Sequence, residues 1–477
     1  MRRTKIVSTV GPAANTTDIM VQLIKAGADI FRFNFSHGDH EEQLGRFKKA
    51  HEAMQITGKR IGLMLDTKGA EIRSSDVKED GKIHFNVGDK VRIGMDASIW
   101  TSKELIGVSY AGLYDDVHVG GHVLFDDGLL DMKILEKDDG KRELVTVVEN
   151  AGDLGGKKGV NAPGVEINLP GLTEKDRDDI TWGLQQGFNY ISASFVRKPS
   201  DVQDIRDLVD AGPNPHVMII PKIESQEGIN NADAILAVSD GLMVARGDMG
   251  VEIPFEMVPQ VQKSLIRKAN MAHKPVITAT QMLNSMQENP RPTRAEVADV
   301  ANSIYDGTDA TMLSGESANG KYPVGSVAAM ARIDEATDED LPQHSVIMDA
   351  FNANDSITDT LGYSVVSAAE RVGAKVIVAV TANGFTAWSI ARFRPNIPII
   401  ALTFTNEVAD SLILSWGTTP IVIDDTENIN EIYATAEKVA VSEGLLEKGD
   451  RMVITLGIPF GKSHHTNNMY VREIGED

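Results

Sequence analysis

Short apolar runs, each about the length of a buried strand, alternate along the chain with stretches whose apolar positions recur every three to four residues. Eight runs stand out: Ile6–Val10, Ile30–Phe33, Ile61–Leu65, Tyr190–Phe195, Val217–Ile220, Leu242–Ala245, Val276–Ala279 and Ala310–Leu313. Each is followed, at once or after an insertion, by an amphipathic stretch. These are Thr17–Ala26, Glu42–Met54, Lys175–Gln186, Ser200–Val209, Ser225–Leu236, Glu256–His273, Thr293–Tyr305 and Val324–Glu335. Eight repeats of strand then helix predict a closed (β/α)8 TIM barrel rather than an open sheet.

The spacing breaks once. Between Asp66 and Thr173 the pattern shows no helix, only β-rich runs at Lys82–Phe85, Lys90–Ile93, His122–Leu124 and Leu144–Val148. A small β domain inserted after the third barrel strand accounts for this, and domains grafted at that end of a barrel act as lids. After the eighth helix, Asp338-Glu339-Asp340-Leu341-Pro342 reads as a polar linker. Strand patterns then recur at Val376–Val380, Ile399–Leu402, Pro420–Val422, Met452–Thr455 and Met469–Val471. The expected architecture is α/β: a barrel over 1–69 and 171–341, an inserted β lid over 70–170, and a C-terminal α/β open-sheet domain over 342–477.

Composition narrows the function. The 477 residues carry 47 Lys plus Arg against 69 Asp plus Glu, a net charge of −22. Such a chain is a poor generic binder of nucleic acid or anionic membrane. It holds no Cys, which excludes disulfides, thiolate metal ligands and a cysteine nucleophile. The basic start at Arg2 and Arg3 leads into an apolar run too short for a signal peptide, so a cytoplasmic location is expected. Asn15-Thr16-Thr17 fits a glycosylation sequon, but a helix N-cap is the simpler reading.

A barrel presents its reactive groups where strands end. Strand two ends in Arg32-Phe33-Asn34-Phe35-Ser36-His37-Gly38, strand three in Asp66-Thr67-Lys68-Gly69 and strand five in Lys222-Ile223-Glu224. Strand six gives Arg246-Gly247-Asp248, strand seven Thr280-Gln281-Met282 and strand eight Ser314-Gly315-Glu316. Glu224 and Asp248 together make the usual protein share of a Mg²⁺ site. Lys222, two residues before Glu224, points to the same side of its strand. A lysine, a divalent metal and Arg32 converging suit an anionic substrate whose charge moves during reaction; rim salt bridges are the bland alternative. Asn34, Ser36, Asp66 and Thr67 offer hard oxygens with one full charge, which suits a monovalent cation; an ordinary hydrogen-bonded loop is the alternative. Lys158, in Lys157-Lys158-Gly159, is either a lid lysine for a nucleotide phosphate or an exposed basic turn.

Gly457-Ile458-Pro459-Phe460-Gly461-Lys462-Ser463 looks like a phosphate-binding P-loop, but has three residues between its glycines where four are needed. His464-His465 reads as a solvated pair. Thr381-Ala382-Asn383-Gly384-Phe385-Thr386 follows a strand and opens a helix, where backbone N–H groups bind phosphate. It is a candidate effector site or an ordinary capping loop.

Taken together, these segments resemble pyruvate kinase of the bacterial type, across essentially the whole chain. The resemblance is carried by Arg3-Thr4-Lys5-Ile6-Val7 through Gly11-Pro12, Arg32 to Gly38, Leu65 to Gly69, Lys158-Gly159-Val160-Asn161, Pro221 to Glu224, Met243 to Asp248, Thr280 to Leu283 and Met312 to Glu316. It implies phosphoryl transfer from phosphoenolpyruvate to ADP, giving pyruvate and ATP, the last step of glycolysis. It implies Mg²⁺ (or Mn²⁺) on Glu224 and Asp248, and K⁺ on Asn34, Ser36, Asp66 and Thr67. Lys222, Thr280 and Arg32 would be catalytic, and Arg32, Gly247, Asp248 and Thr280 would meet the substrate. Asn34, His37, Arg73 and Lys158 would hold the nucleotide. Thr381, Asn383, Gly384 and Thr386 would form the effector phosphate site. Asn383 stands where the family usually has Ser, so a sugar bisphosphate, a sugar monophosphate or no effector all stay open. Ala70 replaces a usual Pro. Glu71, where other members carry Lys, implies dependence on K⁺. A homotetramer without an extra C-terminal domain is expected. The alternatives are a Mg²⁺-dependent barrel lyase or aldolase acting on a pyruvate enolate, and a non-catalytic phosphometabolite-binding protein.

Overall fold

The computed structural model describes residues 2–78, 81–341, 356–426, 428–459 and 466–475. In chain order the first strands are β1 (Lys5–Val10), β2 (Ile30–Asn34) and β3 (Gly62–Asp66). Then come β4 (Ile83–Phe85), β5 (Lys90–Gly94), β6 (Leu105–Gly107), β7 (His122–Phe125), β8 (Leu130–Asp138), β9 (Glu143–Val148), β10 (Gly152–Leu154) and β11 (Val160–Asn161). They are followed by β12 (Tyr190–Ala193), β13 (Met218–Ile223), β14 (Leu242–Ala245), β15 (Val276–Ala279) and β16 (Ala310–Leu313). The last five are β17 (Val376–Val380), β18 (Ile399–Thr403), β19 (Thr418–Val422), β20 (Arg451–Leu456) and β21 (Asn468–Glu473).

Strands β1 to β3 and β12 to β16 close a parallel barrel in which β3 lies beside β12. The residues between those two strands form a six-stranded sheet, order β11-β7-β8-β9-β5-β6, and a two-stranded sheet, β10-β4. The last five strands form an open sheet, order β19-β18-β17-β20-β21, parallel except for β21. This is the expected fold class.

Within the barrel, alternation sorts side chains between two cores. Phe31, Phe33, Leu63, Leu65, Ile219 and Ile223 pack outward against the surrounding helices. Val7, Ile30, Met64, Tyr190, Met218, Ile220 and Met243 form a separate inner cluster. Ile413 and Leu414, from the C-terminal part of the chain, join that inner cluster. Tyr190 Oη donates to the carbonyl of Asp410 at 2.6 Å. The open-sheet unit thus closes the barrel floor and leaves the opposite end, where the strands finish, to the lid.

Four local expectations are corrected. Residues 66–173 do contain a helix, the single turn Leu113–Asp116. The stretch Ser225–Leu236 is two helices, Gln226–Asn230 and Ala232–Val238, divided at Asn231. Strands β6, β8, β10 and β11 lacked a clean apolar run; β8, for instance, mixes Asp131, Lys133, Glu136 and Lys137 with its buried residues. Asp338 is not linker: the helix Pro323–Asp340 includes it. Its carboxylate is fully buried, accepting from Thr4 N at 2.9 Å and Thr4 Oγ1 at 2.7 Å. Its charge serves the free donors at the start of β1. Pro342, Phe460 to Ser463 and His464-His465 lie outside the described residues.

Candidate active site

The same alternation builds the site. Two residues beyond Ile30 on the inner face comes Arg32; two beyond Met64 comes Asp66; two beyond Ile220 comes Lys222. The register pairs Asn34 with Asp66 across β2 and β3. An apolar inner layer is therefore topped by a polar layer at the ends of the strands, as the barrel requires of a reactive face.

That layer is dense with charge. Arg32 grips Asp66 through Nε and a terminal nitrogen, while its other terminal nitrogen donates to Thr9 Oγ1 at 2.9 Å. Lys222 Nζ lies 3.3 Å from Asp66 Oδ1 and 3.2 Å from Glu224 Oε1. Burial is the largest influence on Lys222 and pushes its ammonium down; Asp66 and Glu224 more than offset it, so its pKa stands above the usual lysine value. Burial lifts the Glu224 carboxyl to about 7; Lys222 opposes this and Asp248 adds to it. Glu224 Oε2 also accepts from Phe195 N at 2.6 Å. Lys222 is thus held cationic, and the Glu224 carboxyl is held well above the usual glutamate range. Three carboxylates, Asp66, Glu224 and Asp248, face two cations.

At the end of β15 the backbone is bent into an unusual shape. Thr280 has φ +69° and Gln281 φ +56°. A β-branched residue there is a true outlier, of the kind that persists where surrounding contacts over-determine it. Those contacts are present: Gly247 N donates to Thr280 Oγ1 at 2.7 Å, and an Arg246 terminal nitrogen donates to the Thr280 carbonyl at 2.7 Å. Arg246 is held in turn by Asp299 at 2.6 Å. Arg246 is therefore a brace for this turn. The Gly247 N–H is engaged by Thr280 and becomes available to another acceptor only if that hydroxyl turns away.

The lid contributes a second group. Arg73 pairs with Gly159 in an isolated β-bridge, which makes Arg73 and Lys158 neighbours although they are 85 positions apart. Arg73 Nε donates to Glu71 Oε2 at 2.9 Å, and Lys158 Nζ lies 3.0 Å from Asp126 Oδ1. Asp127, next along the β7–β8 turn, has its carboxyl raised first by burial, then by Asp248 across the cleft, with Lys158 and Arg73 opposing. One carboxyl thus feels both the barrel rim and the lid. Glu71, Asp127, Asn161, Phe195, Arg197, Asp248 and Glu252 line the cleft between them. A second cleft on the rim is lined by Gly247, Asp248, Thr280, Gln281, Ser314 and Glu316.

Asn34, Ser36 and His37 stand at the end of β2, with Ser36 and His37 exposed. Asn34 Oδ1 accepts from Ser36 N at 2.9 Å. Thr67 faces its neighbour strand: its hydroxyl accepts from Ser194 N at 3.0 Å and its carbonyl from Ser194 Oγ at 2.5 Å. The Thr381–Thr386 loop is remote from this face. Thr381 Oγ1 accepts from Gly384 N at 2.9 Å, Asn383 Oδ1 from Phe385 N at 3.2 Å, and Thr386 Oγ1 meets Thr466 Oγ1 at 2.8 Å. Two of the N–H groups expected to be open at this helix start already have acceptors within the loop.

Sequence reading passed over strands one and four. Thr9 and Ser194 were legible by the same step of two that finds Arg32 and Lys222, since Thr9 follows Val7 and Ser194 follows Ser192. Phe195 at φ +54° carries no sequence signal, because a bulky aromatic does not announce a left-handed backbone, whereas Asp127 at φ +55° lies in an Asp-Asp-Gly turn of the type that tolerates one.

The family description "Pyruvate kinase, barrel domain" matches residues 1–327, and "Pyruvate kinase, alpha/beta domain" matches residues 359–472. The chain is 54% identical over 478 residues to a pyruvate kinase of Lactobacillus delbrueckii subsp. bulgaricus, and 48% identical over 476 residues to one of Geobacillus stearothermophilus. Each comparison covers 100% of this chain and 81% of the relative. A crystal structure of a pyruvate kinase from Cryptosporidium parvum superimposes with a TM-score of 0.93 at 37% identity, covering 99% of this chain and 96% of that one. The strained Thr280 turn, the buried Lys222 and the rim carboxylates therefore sit in a shared architecture, and the chain belongs to the pyruvate kinase family.

Proposed function

We propose that the chain transfers the phosphoryl group of phosphoenolpyruvate to ADP, giving pyruvate and ATP, with Lys222, Arg32 and Thr280 as its catalytic residues. The observation that carries the residue assignment is the buried Lys222 ammonium, held between Asp66 and Glu224 at the mouth of the barrel. Phosphoryl transfer asks mainly for positioning and for fixed charge where negative charge develops. Lys222 supplies that charge without reorganising, because two carboxylates on rigid strands aim it. Arg32, locked by Asp66 and Thr9, holds a phosphoryl oxygen in a set direction. Thr280 places a hydroxyl beside the Gly247 N–H, where a substrate carboxylate and a proton path would meet. Arg73 and Lys158 on the lid would hold nucleotide phosphates with Asn34 and His37, and residues 70–170 would exclude water on closing.

The donor set fits a divalent cation: Glu224 and Asp248 offer oxygens just past the ends of the adjacent strands β13 and β14, and their charge is not fully offset by the protein's own cations. Glu224 and Asp248 would hold Mg²⁺ (or Mn²⁺), which would supply Lewis-acid charge to substrate oxygens. Asn34, Ser36, Asp66 and Thr67 fit K⁺, four hard oxygen donors with one full charge, at a level set by the Asn34–Asp66 register. A sugar-phosphate effector at Thr381–Thr386 and a homotetramer complete the reading, and both rest on family resemblance. The effector loop touches the barrel: the Phe385 ring stacks on His273 at 5.2 Å. A coupled assay of pyruvate and ATP formation, run with and without K⁺ and with sugar mono- and bisphosphates, tests each part. Absence of ATP formation from phosphoenolpyruvate and ADP would overturn the activity. An unchanged rate without K⁺ would overturn the cation site. An activation unchanged by Thr386→Ala would remove the loop.

A further inference from the structure

Outside the rim, another group of ligand-type side chains converges on the wall of the barrel. His40 opens the helix His40–Thr57, and Asp178 and Asp179 lie in the second turn of the neighbouring helix Glu174–Gln186. One ligand atom from each of the three lies within 4.8 Å of the other two. His40 Nε2 is 2.8 Å from Asp179 Oδ1 and 3.9 Å from Asp178 Oδ2. Ligands bound tetrahedrally at about 2.0–2.2 Å from one ion are roughly 3.4 Å apart. The two observed distances straddle that value, so a modest shift of the exposed Asp178 converts the hydrogen-bonded group into a coordinating one.

The group is built unevenly, in a way that suits an ion. Asp179 is 3% exposed and Asp178 79% exposed at the side chain. The buried carboxylate is oriented from behind: Lys175 Nζ holds its Oδ2 at 2.5 Å and leaves Oδ1 toward His40. That is the arrangement in which an outer partner aims a ligand. The exposed carboxylate is free to rotate inward. The imidazole is fixed on its flat side, stacked on the Trp182 indole at 4.6 Å with 14° between planes. One imidazole and two carboxylates suit borderline divalent ions, whereas Mg²⁺ prefers an all-oxygen shell.

We propose that His40, Asp178 and Asp179 bind a divalent transition ion of the Zn²⁺ class, at a site separate from Glu224 and Asp248. The Lys175 ammonium makes this a reversible site, weaker than a closed structural one. Lys175 Nζ also donates to the Phe35 carbonyl at 3.1 Å, between Asn34 and Ser36, so an ion that engages Asp179 pulls on the loop following β2.

The stacked indole is a reporter. The full chain, in excess Mg²⁺ to occupy the rim, is titrated with Ni²⁺, whose unpaired electrons quench a nearby indole. Expected is saturable quenching that Zn²⁺ displaces, that Trp182→Phe abolishes, and that weakens at least about tenfold in His40→Ala. His40→Gln separates a metal site from a plain clamp, since an amide can still donate to Asp179 but is a poor ligand for these ions. Its melting temperature should fall less than that of His40→Ala, while its quenching should match that of His40→Ala. Quenching of equal affinity in His40→Ala, failure of Zn²⁺ to displace Ni²⁺, or no quenching in the parent would each overturn the proposal.

Discussion

Removing the Lys222 ammonium tests the centre of the proposed mechanism. At 3.2 and 3.3 Å from two carboxylates, each pair carries a gross attraction of about 5 kcal/mol at an effective dielectric constant near 20. Desolvation cancels much of this. In Lys222→Ala the carboxylates Asp66 and Glu224 lose that partner, a change costing roughly 3–5 kcal/mol when both stay ionised. Glu224 can escape by taking a proton, because its carboxyl already stands at about 7. Its folded pKa lies above the unfolded value, so this group's contribution is favourable at low pH and is lost as pH rises toward the folded pKa. Without Lys222 that loss extends to higher pH, by about 1.4 kcal/mol per pH unit. The melting-temperature gap between parent and variant, measured without divalent metal, should therefore widen from pH 6 to pH 9. With metal and substrates present, kcat should fall on the order of 10³-fold or more, and KM should change less, since Arg32 still holds the ground state. Lys222→Met, which refills the space, should recover packing but not rate. A kcat within tenfold of the parent, or a gap that narrows with pH, would refute the reasoning.

Glu224→Gln keeps the shape of the carboxylate but removes its charge, so a titration of rate against Mg²⁺ should show a steep rise in half-saturation. Glu71 is paired with Arg73 at 2.7 Å, in the cleft. Glu71→Lys exchanges that pair for two cations, and initial rates at constant ionic strength should rise without K⁺ and respond less to added K⁺. Asp334 is wholly buried, and burial lifts its carboxyl well above the usual range, with Arg2 opposing. Its contribution to stability is present below the unfolded pKa and is lost as pH rises toward the folded one. Asp334→Asn should therefore be more favourable to stability at pH 8 than at pH 4 in denaturant melts, because the amide has no charge to bury.

Much of this molecule was legible from its residues alone. The barrel strands read clearly because both faces are buried, giving near-continuous apolar runs in which a polar residue is conspicuous. For the same reason Arg32, Asp66, Lys222 and Glu224 are conspicuous in the sequence: each interrupts or ends such a run. The inserted sheet was read less well. One of its faces is solvated, and β8 alternates buried and charged residues without announcing its length. The acidic run at Asp338 looked like linker because composition cannot show that one carboxylate of three turns inward to serve the donors of Thr4.

Tertiary structure alone decided what is made by chain segments far apart. The pairing of Arg73 with Gly159 sets Lys158 beside it, and the left-handed conformations of Thr280 and Phe195 follow from packing around them. The Glu224 carboxyl rises to about 7 through burial and Asp248, neither of which its neighbours in sequence specify. Local sequence sets the period and the residue type at each strand end, because alternation is a property of the single strand. Which ends meet, and how much water is left between them, depends on closure of the barrel. Closure turns ordinary carboxylates and a lysine into groups of shifted charge, because the field at each one is set by partners that only the closed barrel brings within a few ångströms.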